Sequence, residues 1–131
     1  MNFVNYKVLV ADDDKAITGI IGSSLKREGY DTILAHDGQE AVLKIKEGDP
    51  DIILLDLLMP KMGGLEVLKE IRTKYNDRWR PVIIISAAGD LGSVITGYKM
   101  EADHYFTKPC VLDSLLRGVM AMISLIPQRK A

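Results

Sequence analysis

The segment PDIILLDLLMPKMGG, Pro50–Gly64, carries the strongest indication of the fold. Its residues Asp51–Leu55 form a run that is apolar after the first position, which is typical of a strand buried on both faces. Asp56 follows this run directly, and Met59–Gly64 has the proline and glycine content of a loop. The sequence therefore predicts a central strand that ends in a carboxylate.

Short apolar runs alternate with longer amphipathic segments on both sides of this strand. The five predicted strands are Lys7–Ala11, Tyr30–Ala35, Asp51–Leu55, Val82–Ser86 and Asp103–Thr107. The five predicted helices, whose apolar residues recur at helical spacing, are Asp14–Glu28, Gly38–Lys46, Leu65–Lys74, Leu91–Met100 and Val111–Ile126. This alternation predicts an α/β fold, a doubly wound five-stranded parallel sheet with five helices on its two faces.

Length and composition indicate one ordinary globular domain. The chain has 131 residues, of which 47% are hydrophobic and 27% are charged, and a domain usually takes about 100–200 residues. We expect this domain to occupy residues 1–127, with the last helix ended by Pro127. Residues 128–131 would then be a short C-terminal tail or the start of a linker.

The charge balance and the residue types exclude several classes of function. The chain has 17 Lys and Arg residues and 18 Asp and Glu residues, a net charge of −1, which excludes binding of nucleic acid by bulk charge. Its single cysteine, Cys110, excludes an internal disulfide framework and a multi-cysteine metal site. The apolar runs are far shorter than the ~20 residues that span a bilayer, and Met1–Tyr6 lacks a signal-peptide pattern. We therefore expect a cytoplasmic protein with no direct contact to nucleic acid or membrane.

Polar side chains stand where four of the predicted strands end. They are Asp12, Asp13 and Asp14 after the first strand, Asp56 after the third, Ser86 at the end of the fourth and Lys108 after the fifth. Because the carboxyl ends of parallel strands meet at one edge of a sheet, we expect these groups to converge. Close carboxylates raise one another's pKa unless a cation lies between them, and oxygen ligands suit Mg²⁺. A magnesium ion beside a free carboxylate, an ammonium and a hydroxyl is typical of phosphoryl transfer, with a carboxylate as the acceptor.

Each of these residues also has an ordinary structural interpretation. Asp14 is well placed to cap the first helix, and we favour that interpretation for it. Ser86 taken alone fits a cap of the fourth helix equally well, and lysines such as Lys108 are more often solvated than bound. A helix cap does not need three successive carboxylates, so we assign Asp12 and Asp13 to the metal site.

Four segments together resemble the receiver domain of two-component response regulators. They are VLVADDD (Val8–Asp14), PDIILLDLLMPKMGG (Pro50–Gly64), PVIIISA (Pro81–Ala87) and ADHYFTKP (Ala102–Pro109). Each segment alone is a weak signal, but the set occurs in the expected order and spans nearly the whole chain. The resemblance implies a flavodoxin-like sheet with the strand order 2-1-3-4-5.

The resemblance also implies how a metal and a phosphoryl group would be held. Asp56 would be the phospho-acceptor. Asp13, Asp56 and the backbone carbonyl of Leu58 would bind Mg²⁺, or Mn²⁺ in its place, directly. Asp12 would act through a metal-bound water.

The remaining implied roles concern the switch. Lys108, whose peptide bond to Pro109 is expected to be cis, would pair with the phosphoryl group. Ser86 would move to hydrogen-bond that group, and Tyr105 would swing inward when Ser86 moves.

The implied function is a phosphorylation-dependent signalling switch and not an enzyme that turns over an external substrate. A histidine kinase or phosphotransfer protein would donate the phosphoryl group to Asp56. The predicted fourth helix, fifth strand and fifth helix would form the surface that controls a partner protein or an output domain. Gly92 and Gly97 weaken the fourth helix, which favours it as a mobile part.

A few residues depart from the family pattern or bear on the lifetime of the phosphoryl group. Gly63 replaces a residue that is often Asp, Glu101 replaces a usual Gly, and Cys110 replaces a common Phe. Leu58 and Ala88 flank the acceptor site in the family. Both are apolar here and cannot orient an attacking water, so we expect slow self-dephosphorylation.

Three other classes of function compete with this interpretation. A phosphatase of the haloacid dehalogenase type needs a second Asp two residues after its nucleophile, whereas Leu57 and Leu58 follow Asp56. Asp12–Asp14 has that spacing, but 131 residues leave no cap domain. A flavodoxin needs a Ser-, Thr- or Gly-rich phosphate loop where this chain has three aspartates. A receiver that binds partners without phosphorylation is the remaining alternative, and the complete set of Asp, Ser and Lys residues argues against it.

Overall fold

The computed structural model describes residues 5–74, 77, 79–87, 92, 95, 96, 99 and 101–130. Its strands are β1 (Lys7–Ala11), β2 (Asp31–Ala35), β3 (Ile52–Asp56), β4 (Val82–Ala87) and β5 (His104–Lys108). Its helices are α1 (Lys15–Arg27), α2 (Gly38–Gly48), α3 (Gly64–Lys69), α4 (Leu112–Ser124) and α5 (Ile126–Lys130), with a π-helical turn at Glu70–Lys74 directly after α3. The predicted helix Leu91–Met100 lies largely outside the described residues, so α4 is the helix that follows β5.

The five strands form one parallel sheet in the order β2-β1-β3-β4-β5, which confirms the predicted fold. All five residues of the central strand β3 are buried, as expected for a run that is apolar on both faces. The pairing places Ala11 beside Leu55, Asp56 beside Ile85 and Ala87 beside Lys108. The carboxyl ends of these four strands therefore lie side by side at one edge.

Alternate residues of the strands face two separate apolar layers, as the two-residue repeat of a strand requires. Leu9, Ile53 and Ile84 face the layer formed with α2, α3 and the π-helical turn. Val10 and Leu54 face the layer formed with α1, α4 and α5. The sheet is thus covered on both faces, and its polar groups collect at its ends.

Asp14 and Gly29 bound the first helix, and the sequence predicts the Asp14 cap. The Asp14 side chain accepts hydrogen bonds from the backbone N–H groups of Ala16 (2.9 Å) and Ile17 (3.3 Å), which confirms its role as the N-cap. Gly29 follows the end of the helix with φ at +97°, a left-handed conformation that glycine adopts without strain. None of the described helices combines the length and the apolar character needed to cross a membrane.

Two expectations about the helices are wrong. The third helix was expected to run as one α-helix from Leu65 to Lys74, but the chain changes to a π-helical turn at Glu70. The last helix was expected to end at Pro127, but α4 ends at Ser124 and Pro127 is the second residue of α5. A proline is tolerated in the first turn of a helix because its missing N–H would have no partner there.

Gly64 lets α3 begin directly against the end of β3. Its backbone N–H donates to the Leu57 carbonyl at 3.0 Å. A Cβ atom at this position would lie 2.2 Å from the backbone oxygen of Asp56. Because that oxygen belongs to the main chain of a buried strand, it cannot move aside easily, and the close approach requires glycine.

We expect Gly64→Ala to destabilise the protein by about 1 to 3 kcal/mol, the usual cost of overpacking a close contact. The measurement is urea unfolding followed by circular dichroism. Gly19→Ala is the matched control, since a Cβ at Gly19 meets nothing within 4 Å. In the middle of α1 it should stabilise by about 0.5 to 1 kcal/mol. Equal stability of the two variants would contradict the proposed close contact.

Candidate functional site

Asp12 and Asp13 follow β1 at the carboxyl edge of the sheet and differ sharply in exposure. Asp12 is only 3% exposed, whereas Asp13 is exposed. The backbone N–H of Asp12 donates to the Ala35 carbonyl of β2 at 3.0 Å, and its side chain accepts from the backbone N–H of Asp14 at 2.9 Å. The Asp12 side chain is therefore buried and held by hydrogen bonds, whereas the Asp13 side chain is exposed to solvent.

Asp56 is the last residue of β3 and is 5% exposed. Its Oδ1 accepts from the backbone N–H of Leu58 at 3.4 Å. The Leu58 side chain itself is exposed beside the site. The loop that follows is tied to α2, since Lys61 Nζ lies 3.5 Å from Asp37 Oδ2.

The carboxylates of Asp12, Asp13 and Asp56 form a compact cluster. One oxygen from each lies within 4.8 Å of the others. Three carboxylate oxygens are a donor set that suits a hard divalent cation such as Mg²⁺. The residues present therefore fit the ion that the sequence predicts.

Lys108 supplies the positive charge within this cluster. It is the last residue of β5, and its Nζ lies 2.7 Å from Asp12 Oδ2 and 3.3 Å from Asp56 Oδ2. The peptide bond from Lys108 to Pro109 is cis. One ammonium thus bridges two carboxylates, one at the end of β3 and one directly after β1.

Burial and like charge together make the ionised form of Asp56 costly. Burial, followed by the charge of Asp12, raises the pKa of Asp56 to about 6, although Lys108 and the Leu58 N–H act in the opposite direction. Burial would lower the pKa of Lys108, but its contacts with Asp12 and Asp56 outweigh burial and raise that pKa above its usual value. Lys108 therefore stays an ammonium at neutral pH.

Ser86 and Tyr105 occupy the neighbouring strands. Ser86 is buried in β4, where it pairs with Thr107 one residue beyond the Asp56–Ile85 pair. Tyr105 is half-buried in β5 and packs against the layer beneath α2 and α3. The structure brings together Asp12, Asp13, Asp56 and Lys108. The strand register places Ser86 at the same edge, and Tyr105 lies three residues before Lys108 along β5. Ala88 lies outside the described residues.

Sequence reasoning treated Gly64 only as the end of a loop and missed its part in building the site. The close packing of Gly64 against the backbone of Asp56 holds the main chain of Asp56 against the start of α3. The Gly63-Gly64 pair after Asp56 was the available signal. Composition alone could not tell a loop glycine from one at a forced contact.

A family model and several solved structures match this chain. The model for the response regulator receiver domain matches residues 8–120. The receiver domain of the Francisella response regulator 1452 is 41% identical, with a TM-score of 0.84, and the match covers 92% of this chain and 98% of that one.

Two further structures share the fold at lower identity. A CheY-like response regulator receiver domain protein from Methanospirillum hungatei is 24% identical with a TM-score of 0.89, covering 95% of this chain and 98% of that one. NtrX from Brucella abortus, in complex with ADP, is 24% identical with a TM-score of 0.88. That match covers 97% of this chain but 29% of NtrX.

We expect Asp56→Asn to stabilise the metal-free protein, and to do so increasingly between about pH 4 and pH 7. The folded-state pKa of Asp56 lies near 6, above the value of 3.8 for a free side chain, so the wild type loses stability as pH rises through this window. The variant avoids that loss, and its advantage should reach about 1 to 3 kcal/mol at pH 7.5. The measurement is unfolding free energy against pH in a chelating buffer.

Asp13→Asn is the control for this effect, because Asp13 carries a carboxylate of the same cluster but is exposed. Its stability relative to the wild type should change little over the same pH range. An advantage of Asp56→Asn that is the same at pH 4 and pH 7.5 would show that the charge of Asp56 does not cause it.

Proposed function

The chain belongs to the response regulator receiver domain family, and from this we propose that it is a phosphorylation-dependent switch with Asp56 as its acceptor. Receiver domains are signalling domains and not enzymes that turn over a substrate. The observation that carries the proposal is the position of Asp56, a buried carboxylate within 4.8 Å of two others and 3.3 Å from the ammonium of Lys108. This arrangement offers a nucleophile together with charges that can receive a phosphoryl group.

The transfer would take place at an oxygen of Asp56. That oxygen attacks the phosphorus of a phosphohistidine, the phosphorus–nitrogen bond breaks, and the imidazole leaves with its electron pair. The product is an acyl phosphate on Asp56. The donor in this proposal is a histidine kinase or a phosphotransfer protein.

Lys108 would change partners during this step. In the structure its ammonium is shared between Asp12 and Asp56. Once a phosphoryl group stands on Asp56, its oxygens carry more charge than the carboxylate did, so the ammonium would pair with them. Ser86, at the end of the neighbouring strand, would supply a hydroxyl to the same group.

The acidic cluster would hold Mg²⁺, or Mn²⁺ in its place. Asp13, Asp56 and the Leu58 carbonyl would bind the ion directly and Asp12 through a water. When bound, the ion supplies positive charge that neutralises phosphoryl oxygens.

The output of the switch would be read on the surface that includes β5 and α4. Movement of Ser86 and an inward swing of Tyr105 would change this surface, together with the segment 91–100. To change the ratio of active to inactive molecules from 1:99 to 99:1, the phosphoryl group must favour the active form by about 5.5 kcal/mol. Because NtrX is more than three times the length of its match to this chain, we propose that the surface controls either an output domain or a separate partner protein.

We expect acetyl phosphate or phosphoramidate to add one phosphate to the wild type in the presence of Mg²⁺ and none in a chelating buffer. Asp56→Asn should abolish the adduct because it removes the nucleophilic oxygen. The measurement is intact mass after a timed incubation.

Asp14→Asn is the matched control, since asparagine keeps the cap of α1 and the Asp12, Asp13 and Asp56 cluster stays complete. It should be phosphorylated like the wild type. An adduct that persists in Asp56→Asn would exclude Asp56 as the acceptor. The absence of any adduct on the wild type would favour a receiver that binds partners without phosphorylation.

We expect the acyl phosphate to decay slowly, with a half-life of minutes or longer. Leu58 stands exposed beside Asp56 with an apolar side chain, which cannot orient an attacking water. Leu58→Asn offers a polar group at this position and should shorten the half-life. The measurement is the loss of the adduct by intact mass after removal of the phosphodonor. A wild-type half-life of only seconds would contradict the expectation.

A further inference from the structure

The carboxylate of Asp103 joins three elements at the end of the sheet opposite the acidic cluster. Asp103 lies one residue before β5. Its Oδ2 accepts from the backbone N–H of Val82 at 2.8 Å and from Arg72 Nη2 at 3.1 Å. Its Oδ1 accepts from Arg129 Nη1 at 2.6 Å. The start of β4, the π-helical turn and the C-terminal helix α5 are therefore tied to one side chain.

Arg72 connects this carboxylate to the turn at Glu101. Arg72 is 2% exposed, and its Nε and Nη2 donate to the Glu101 carbonyl at 3.2 and 3.0 Å. Its Nη1 donates to the Asp77 carbonyl at 2.8 Å. Glu101 has φ at +70°, a left-handed conformation that costs a non-glycine residue free energy. The guanidinium thus holds the strained turn and Asp103 at the same time.

The helix α5 depends on contacts outside itself. It has five residues, far fewer than the ~12 to 15 at which an isolated helix becomes even marginally stable in water. Ile126 is buried in the apolar layer shared with α1 and α4, and Lys130 Nζ lies 4.0 Å from the centre of the Trp79 ring. The ion pair from Arg129 Nη1 to Asp103 Oδ1, at 2.6 Å, links this helix to the residue that follows the turn.

We propose that Asp103 couples the docking of α5 to the conformation of the Glu101 turn, so that a partner acting on either changes the other. Such coupling is reciprocal by thermodynamic necessity. The strand β5 runs from this junction to Lys108, and at 3.3 Å per residue Lys108 lies about 16 Å from Asp103. A protein that binds or displaces α5 would therefore act on the start of the strand that ends in the acidic cluster. This inference goes beyond the proposed function and does not depend on phosphorylation of Asp56.

The test compares Arg129→Met with Arg117→Met by residue-resolved amide hydrogen exchange, with no metal or phosphodonor added. Methionine preserves much of the length of the arginine side chain and removes its charge. Arg117 pairs with Asp113 on the exposed face of α4 and is the matched control. Arg129→Met should speed exchange at least about fivefold within α5, and also at the amides of Glu101–Asp103. Arg117→Met should leave both regions unchanged.

Trp79 provides a second readout of docking, because it is the only tryptophan of the chain and α5 packs on it through Lys130. Quenching of its fluorescence by acrylamide should increase in Arg129→Met and not in Arg117→Met. The coupling would be overturned if Arg129→Met increased the quenching and sped exchange within α5 but left exchange at Glu101–Asp103 unchanged. The ion pair would then stabilise only the docking of α5. No change in either region would overturn the coupling as well.

Discussion

Two buried carboxylates share one ammonium at the carboxyl edge of the sheet, and the rest of the site depends on this contact. Asp12 directly follows β1, Asp56 ends β3 and Lys108 ends β5, so three strands must lie in register for the charges to meet. Left alone, two buried carboxylates would repel each other. The apolar layers on both faces of the sheet supply the free energy that holds them together. Bringing the carboxylates together therefore costs electrostatic free energy, and burial of the apolar core offsets that cost.

The location of this contact could be predicted because it follows from simple rules of chain organisation. Runs such as Val8–Ala11 and Ile52–Leu55 are recognisable as buried strands, and a polar residue at the end of each stands out against them. In a parallel sheet the ends of such strands meet at one edge. The sequence thus indicated which groups converge, although the sharing of Lys108 between Asp12 and Asp56 required the structure.

The opposite end of the sheet could not be predicted because its charges look ordinary in the sequence. Arg72 falls in a segment whose helical spacing is otherwise typical of an amphipathic helix, and an arginine there is expected to be solvated. In the structure Arg72 lies within the π-helical turn and is buried, and its Nε donates to the Glu101 carbonyl. Pro127 likewise indicates a helix end, but a proline also suits the first turn of a new helix. The two wrong helix boundaries, at Glu70 and at Ser124, are changes of backbone conformation within a continuous helical pattern. Hydrophobic periodicity does not reveal such changes.

The two ends of the sheet consequently respond differently to added charge. At the carboxyl edge, three carboxylates face one described ammonium, so a cation or a rearrangement of Lys108 relieves the excess of negative charge. At the opposite end, Asp103 faces Arg72 and Arg129, and Asp77 faces Arg72 and Arg80, so each carboxylate is already matched by cations. Burial lowers the pKa of Arg72, and Asp103 and Asp77 oppose that shift, which keeps the buried guanidinium charged. A group that adds charge to Asp56 therefore acts on an edge with unbalanced negative charge, while the carboxylates of Asp77 and Asp103 at the far end are already paired.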